Sequence, residues 1–109
     1  MYKTAVITDE ISQDLRIAAQ LAREYQLDAL EIRSVNERNP FQMTREDAAD
    51  IKRIADDHGL GICCVASPLY KIDAQDSDAR KEHLEAFKRC AEYMHLWGAS
   101  LVRGFPFLR

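Results

Sequence analysis

Short apolar runs of strand length alternate along this chain with longer amphipathic segments of helix length. The apolar runs are free of helix-period patterning and rich in β-branched residues, and they occupy positions 4–8, 29–35, 61–67 and 100–105. Between them, apolar residues recur every three to four positions, which is the period of a helix with one buried face. The pattern therefore predicts four strands and three helices in the order β-α-β-α-β-α-β.

Residues with capping side chains or unusual backbone freedom indicate where the helices begin and end. Ser12 would cap the first helix, Thr44 would open a variant of the capping box at the second, and Ser77 would cap the third. Gly59 and Gly98 would close the second and third helices, because glycine adopts the left-handed conformation without steric cost. The end of the first helix has no such signal, because Gln26, Leu27 and Asp28 lead into the second strand without a glycine.

Two local features give sharper expectations. The spacing of apolar residues on the third helix predicts a buried face of Leu84, Phe87, Ala91 and Met94, with Cys90 and Trp97 beside it. The third strand is expected to end at Pro68, since proline has no backbone N–H to donate to a sheet ladder.

Strands joined by helical crossovers pair in parallel, and two architectures use such units. One is an open, flavodoxin-like sheet with helices on both faces, and the other is a (β/α)8 TIM barrel with helices on one face only. The second strand separates them: Leu30 and Ile32 point to one face, whereas Glu31 and Arg33 point to the other. A sheet covered on both faces would be apolar on both. We therefore predict an α/β domain of residues 1–109 that forms the N-terminal half of a TIM barrel.

Charged residues within the strands raise the question of their partners. Alternate strands fill the same layer of a barrel interior, so we expect strands two and four to bring Glu31, Arg33 and Arg103 within ion-pairing distance. Such a pair could be purely structural, because buried charges need partners, or the same groups could contact a substrate.

Charge and composition exclude several classes of function. The 109 residues include 15 Lys and Arg against 18 Asp and Glu, and this net charge of -3 argues against nucleic-acid binding. No apolar run approaches the roughly 20 residues of a membrane span, and the start does not resemble a signal peptide, so we expect a cytoplasmic location and no membrane contact. Cys63, Cys64 and Cys90 lack metal-site spacing and are expected to be free thiols.

Three segments are distinctive when taken together: I-T-D-E-I-S-Q-D-L at 7–15, A-L-E-I-R at 29–33 and A-S-P-L-Y-K at 66–71. They resemble the sugar phosphate isomerase/epimerase group of the xylose isomerase-like TIM barrels, and the resemblance runs in order over the whole chain. It implies isomerisation or epimerisation of a sugar or sugar phosphate, in which a base removes a proton next to a carbonyl and a divalent metal stabilises the enediolate oxygens.

In that group the metal ligands come from strands five to eight. The resemblance therefore implies a divalent metal whose ligands are not in this chain, and a chain that is inactive alone. What the first half can supply is one wall of the substrate pocket, where Arg and Lys suit a phosphate or a hydroxyl-rich substrate. The candidates for substrate binding are Glu31, Arg33, Ser67, Lys71 and Arg103. Asp9 and Glu10 could also line the pocket, or could serve as turn and pre-helix residues.

Length sets the expectation for partners. A complete barrel takes roughly 250 residues, so this chain accounts for about half of one. Unpaired edges and bare apolar faces would favour association, so we expect either completion by a missing C-terminal half or a homo-oligomer.

Three other functions stay open at this stage. The chain could be a non-catalytic half-barrel that acts through self-association, or a flavodoxin-like binding module. It could also be an apurinic-endonuclease-like hydrolase. That branch is similar in fold and uses a zinc cluster whose histidine ligands follow strands three and four. Here those positions hold Ser67, Pro68 and Phe105.

Overall fold

Four strands and three helices alternate along residues 2–108, the part of the chain that the computed structural model describes. The strands are β1 (Ala5–Ile7), β2 (Ala29–Ile32), β3 (Gly61–Leu69) and β4 (Leu101–Gly104). The helices are α1 (Leu15–Glu24), α2 (Arg45–Asp57) and α3 (Ser77–Trp97), and a short 3-10 turn at Thr8–Glu10 follows β1. The predicted order of strands and helices is confirmed.

All four strands are parallel, and each pairs with the strand that precedes it in the order β1-β2-β3-β4. Right-handed crossovers that always step in the same direction place every helix on the same face of the sheet. Accordingly, α1 contacts α2 and α2 contacts α3 in a single layer. This arrangement is a half-barrel, as predicted, and it excludes the flavodoxin-like alternative with helices on both faces.

The hydrophobic core lies between the sheet and the helix layer. Leu30 and Ile32 of β2 are fully buried there, against small residues of α1 such as Ala18 and Ala22 that let the helix approach the sheet closely. Burying each leucine or isoleucine contributes about 1.5–3 kcal/mol. Glu31, between them in sequence, points to the opposite face and is only partly buried. The alternation of apolar and charged residues in β2 therefore predicts correctly which face of the sheet the helices cover.

The buried face of α3 differs from the prediction. Leu84, from the predicted face, is 44% exposed and Ala91 is exposed as well, whereas Phe87 and Met94 are partly buried. The buried residues lie on the neighbouring stripe of the helix, which includes the expected Cys90 and Trp97, and they are Ala86, Cys90, Tyr93 and Trp97.

The reason lies in the polar tips of two aromatic residues. Tyr93 donates its hydroxyl to the carbonyl of Met43 at 3.0 Å, and Trp97 donates its indole N–H to the carbonyl of Ala48 at 2.9 Å. A large ring is buried at low cost when its polar atom finds a partner, and these acceptors lie just before and within α2. The helix therefore rotates to bury these two rings.

Helix starts agree with the prediction in one case of three. Thr44 forms a complete capping box at α2, as expected. At α1 the cap is Asp14 rather than Ser12, and at α3 it is Asp76 rather than Ser77. Ser12 lies two residues before the cap, and its hydroxyl accepts the backbone N–H of Asp14. It therefore stabilises the turn that leads into α1.

The predicted glycine ends are confirmed. Gly59 has φ of +67° after α2, and Gly98 has φ of +71° at the end of α3. Leucine, alanine and most other residues adopt this conformation only with strain. Among the helices of residues 2–108, none combines the length and the apolarity needed to cross a bilayer.

Strand β3 is longer than predicted because it contains two irregularities. The register passes from Ala66 directly to Leu69 against β4, so Pro68 lies outside the ladder and its missing N–H is not needed. The prediction that Pro68 ends the strand is therefore wrong. A second irregularity makes Cys63 an extra residue opposite β2, which sets Cys64 beside Glu31.

Candidate functional site

The face of the sheet that the helices leave uncovered is called the open face. It carries polar and charged residues toward the carboxyl ends of the strands. The strand register sets Glu31 between Ile7 of β1 and Cys64 of β3. Two residues after Cys64 on β3, Ala66 is paired with Arg103 of β4. Since parallel strands end at the same edge of the sheet, the residues that follow them gather there too. This edge is where the sequence-predicted candidates meet.

Asp9 and Arg33 form a two-pronged ion pair at this edge. Arg33 donates its Nε to the two carboxylate oxygens of Asp9 at 3.0 and 2.9 Å, and its Nη2 to Oδ1 at 2.6 Å. Ser34 adds a third donor, its hydroxyl, at 2.7 Å. The hydrogen bonds from Arg33 hold the pKa of Asp9 below its ordinary value, although burial acts in the opposite direction. Bonding to Asp9 in turn raises the pKa of Arg33.

The same contact ties together the loops that follow β1 and β2. Gln13 donates its side-chain amide to the Ser34 hydroxyl at 2.7 Å, and its side-chain oxygen accepts the N–H of Glu37 at 2.8 Å. Its backbone carbonyl accepts the N–H of Asn36 at 2.9 Å. Asn36 and Glu37 both have positive φ, 52° and 62°, so this loop turns sharply. Asp9 and Arg33 are therefore held in a fixed geometry before any ligand binds.

The expected pairing of Glu31 with Arg33 or Arg103 is wrong. In residues 2–108, the salt bridges of Arg33 go to Asp9 and Glu10, and Glu31 forms none. The 3-10 turn after β1 places Asp9 against Arg33, so Arg33 pairs with Asp9 rather than with Glu31. The side chain of Arg103 bends back toward the carbonyls of β3. Glu31 instead faces Cys64, where burial, followed by hydrogen bonding to Glu31 and its negative charge, raises the pKa of that thiol to about 11.

Ser67 lies beneath the face rather than on it. It is fully buried, donates its hydroxyl to the carbonyl of Arg103 at 2.6 Å, and accepts the N–H of Leu69 at 3.3 Å. These bonds bridge β3 and β4 at the irregularity where the regular ladder is interrupted. The structure therefore makes Ser67 a support for the backbone of Arg103.

Arg103 is partly buried over the carboxyl end of β3. Its Nη2 donates to the carbonyls of Ala66 at 3.4 Å and Ser67 at 3.2 Å, while its buried Nε has no hydrogen-bond partner among residues 2–108. The guanidinium carbon lies 4.8 Å from the ring centre of Phe105, and the ammonium of Lys71 lies 5.4 Å from the same centre. Lys71 and Arg103, both predicted from the sequence, are thus brought together around one aromatic ring.

Aromatic side chains beside these cations were not identified from the sequence. Tyr70 stacks on Phe107 with ring centres 4.7 Å apart, and Phe41 packs edge-on against His83 at 5.2 Å. The backbone N–H of Tyr70 donates to Nδ1 of His83 at 2.9 Å, which holds the His83 ring beside this cluster. The alternation F-P-F at 105–107, directly after a strand, is the sequence signal that could have revealed this cluster.

The described side chains do not fit a divalent metal. Among residues 2–108 there is no group of three or more His, Cys, Asp or Glu placed to hold one. Both oxygens of Asp9 are already bonded to Arg33, and Glu31 has only a thiol beside it. Divalent cations take several oxygen or nitrogen ligands at once. We therefore assign no metal ligand in this part of the chain.

A family model described as xylose isomerase-like TIM barrel matches residues 19–107. The matched range includes Glu31, Arg33, Ser67, Lys71 and Arg103, whereas Asp9 lies before it. No curated protein matches the chain.

Proposed function

Because the chain belongs to the xylose isomerase-like TIM barrel family, we propose that it forms the substrate-binding first half of an isomerase or epimerase acting on a sugar or sugar phosphate. The observation that carries the proposal is the charge distribution of the sheet. One face is apolar and covered by all three helices, and the other bears Glu31, Arg33 and Arg103 toward the carboxyl ends of the strands. This is the end at which (β/α)8 barrels build their sites.

Glu31 is the residue best suited to contact substrate hydroxyl groups. It is partly exposed on the open face, and its contact with the Cys64 thiol involves only a weak donor. A carboxylate with free acceptor capacity forms charge-assisted hydrogen bonds with hydroxyl groups. We assign Glu31 to substrate binding, and Lys71 and Arg103 to the same pocket wall.

Arg33 and Ser67 act indirectly in this proposal. Arg33 fixes Asp9 and the loops after β1 and β2, while Ser67 fixes the backbone that carries Arg103. Positioning of this kind matters because a site must be held in the productive geometry before its substrate arrives.

Proton transfer and metal binding are assigned to other strands. Isomerisation or epimerisation next to a carbonyl needs a base to remove a proton, and a metal, when bound, supplies charge stabilisation. Since residues 2–108 do not fit a metal, we assign its ligands and the proton-transferring carboxylates to the strands that complete the barrel. Location in the cytoplasm is part of the same proposal.

Sugar binding by the chain tests the proposal directly. Neutral aldoses and ketoses are titrated into the 109-residue chain, and backbone amide shifts are followed by NMR. We expect shifts at the carboxyl ends of β2 to β4, and about a tenfold loss of affinity in Glu31→Gln. The matched control is Glu85→Gln, which makes the same change at an exposed side chain on α3. Shifts confined to the helix layer would contradict the assignment.

Activity is tested by complementation. The four C-terminal βα units of a xylose isomerase-like barrel are supplied as a second chain, and isomerase and epimerase activity are assayed with and without EDTA. Activity should require both chains and should fall in Glu31→Gln. Equal activity with and without the 109-residue chain would argue against a role for this half.

A second candidate, self-association of two copies, is favoured by an independent observation. Leu101 lies on the open face and is 62% exposed, and β1 and β4 have no strand on their outer sides in the described part of the chain. If β4 of one copy paired with β1 of the other at both junctions, eight parallel strands would form a closed ring.

A further inference from the structure

The two sides of the open face differ in how their positive charges are balanced. On the β3–β4 side, Lys71 and Arg103 share one aromatic ring and have no carboxylate within 4.0 Å among residues 2–108. We propose that Lys71, Arg103 and Phe105 form a subsite for an oxyanion of the substrate, either a phosphate or a carboxylate. The inference rests on the proposed function and deepens it, because it fixes which end of the substrate is charged and where it lies.

The geometry of the ring and its two cations carries the first step. The guanidinium carbon of Arg103 and the ammonium of Lys71 lie 4.8 and 5.4 Å from the centre of Phe105. The negative face of an aromatic ring attracts each cation, but two cations near one ring also repel each other. An oxyanion that contacted both cations would offset this repulsion and gain an ion pair with each.

Hydrogen-bonding capacity supplies the second step. Arg103 uses Nη2 on the carbonyls of β3 and its Nε is buried, whereas Nη1 makes no hydrogen bond within residues 2–108 and is the nitrogen left for a ligand. A guanidinium N–H forms charge-assisted hydrogen bonds with carboxylate and phosphate oxygens. Lys71 is exposed and adds a mobile point charge.

Backbone contacts hold the subsite in place. The N–H of Phe105 donates to the carbonyl of Leu69 at 2.8 Å, and the N–H of Lys71 donates to the carbonyl of Pro68 at 2.9 Å. The buried hydroxyl of Ser67 bonds the carbonyl of Arg103. The backbones of all three residues are therefore fixed to the same end of β3, so on this subsite the exposed side chain of Lys71 is the main group that a ligand has to order.

The β1–β2 side provides the contrast that orients the substrate. Arg33 is bonded through two nitrogens to Asp9, and Glu10 lies 3.9 Å from the same guanidinium. Its charge is already balanced, and Glu31 adds a further negative charge to this side. An anionic group is therefore attracted to the β3–β4 side, and hydroxyl groups are left for the side of Glu31.

Anion binding is measured with inorganic phosphate and, in a second arm, with acetate, each by calorimetry and amide NMR at constant ionic strength. We expect saturable binding, with the largest amide shifts between residues 69 and 72 and between 103 and 107. Lys71→Gln and Arg103→Gln should each weaken binding about tenfold. The acetate arm shows whether the subsite accepts a carboxylate as well as a phosphate.

Matched controls separate a specific subsite from general charge effects. Arg80→Gln and Lys81→Gln remove the same charge from exposed positions on α3 and should leave the affinity unchanged. If they weaken binding as much as Lys71→Gln, or if shifts do not localise near Phe105, the subsite is disproved. Because Lys71 is exposed, Lys71→Gln tests the proposal even if Arg103→Gln fails to fold.

Failure of the oxyanion subsite can be distinguished from failure of the proposed function. Neutral-sugar binding that depends on Glu31, without phosphate or acetate binding, would overturn the subsite and leave the proposed function standing. Anion binding that depends on Lys71 and Arg103, in a complemented barrel without isomerase or epimerase activity, would support the subsite and overturn the proposed function.

Discussion

Glu31 and Cys64 lie side by side on the open face, and their electrostatic coupling can be measured. Burial and the neighbouring carboxylate raise the pKa of Cys64 from 9.0 to about 11, so almost no thiolate is present at pH 8. In Glu31→Gln the negative charge is gone, the pKa of Cys64 falls, and alkylation by iodoacetamide at pH 8 should become several-fold faster. The rate is followed by mass spectrometry of the modified peptide.

Cys90 is an internal reference for that experiment. Its pKa is also raised to about 11, but by burial alone, so its rate of alkylation should not change in Glu31→Gln. A parallel increase at Cys90 would indicate general loosening of the fold, and an unchanged rate at Cys64 would mean that Glu31 does not act on it.

The Asp9–Arg33 pair predicts a pH dependence of stability. The pKa of Asp9 is lowered in the folded state, so the pair stabilises the fold fully above the unfolded pKa of 3.8. This contribution is lost as the pH falls through the lowered value. Asp9→Asn should reduce the free energy of unfolding at pH 7 by about 1–2 kcal/mol, a modest figure because Arg33 is partly exposed to solvent.

Urea unfolding between pH 7 and pH 2 provides the measurement. The difference between wild type and Asp9→Asn should be constant near neutral pH and should shrink below about pH 4, where Asp9 is protonated first in the unfolded state, and vanish only below its lowered pKa in the folded state. A difference that persists unchanged at pH 2 would mean that the charge of Asp9 is not what stabilises the fold.

Single residues at this site were easier to predict than their partners. Asp9, Arg33, Lys71 and Arg103 could be selected because charged residues at strand ends are informative in any parallel α/β fold. Their pairing could not be predicted, since it depends on the 3-10 turn after β1 and on how the Arg103 side chain bends over β3. Side-chain direction at a strand end is set by such local turns, which leave no periodic signal in the sequence.

At the level of whole helices, the start of α3 gives a paired prediction. Asp76 accepts the N–H of Ala79 at 3.0 Å and caps the helix, whereas Ser77 is the first helical residue. Asp76→Ala should therefore lower the free energy of unfolding by about 1 kcal/mol, and Ser77→Ala should change it by a few tenths at most. Both variants are compared by thermal and urea denaturation. The reverse order of effects would contradict the cap.

The limits of helix prediction have a physical cause in α3. Two adjacent stripes of this helix are apolar enough to be buried, and periodicity alone favoured the one with Leu84 and Phe87. The structure selects the other because Tyr93 and Trp97 find carbonyl acceptors near the start of α2. Contacts between elements distant in sequence decide between such stripes. The interruptions in β3 at Cys63 and Pro68 were missed for the same reason, since a register is a property of two strands.

For the molecule as a whole, the open face predicts association at high concentration. Leu101 is 62% exposed on this face, so light scattering should show a mass that rises with concentration, and Leu101→Ser should reduce the rise. Leu96→Ser makes the same chemical change on α3, where Leu96 is 46% exposed, and should leave the mass curve unaltered. A strictly monomeric wild type at all concentrations would disprove association through this face.

The overall architecture was the most predictable feature, and one strand was sufficient to indicate it. The alternation of Leu30 and Ile32 with Glu31 and Arg33 requires a sheet that is covered on one face only, and the structure has this arrangement. Hydrophobic burial acts on every strand and helix at once, so its pattern survives errors of a few residues at each boundary. The site depends on individual contacts and therefore could be predicted only in part.

The sequential strand order has a consequence for how the chain acquires its structure during synthesis. No strand among residues 2–108 has to wait for a later one to be inserted beside it, because β2 adds to β1, β3 to β2 and β4 to β3. Each βα unit can therefore dock as it leaves the ribosome, from the N-terminus onward. A pause in translation after any complete unit would leave a growing sheet whose most recent strand is the edge to which the next strand adds.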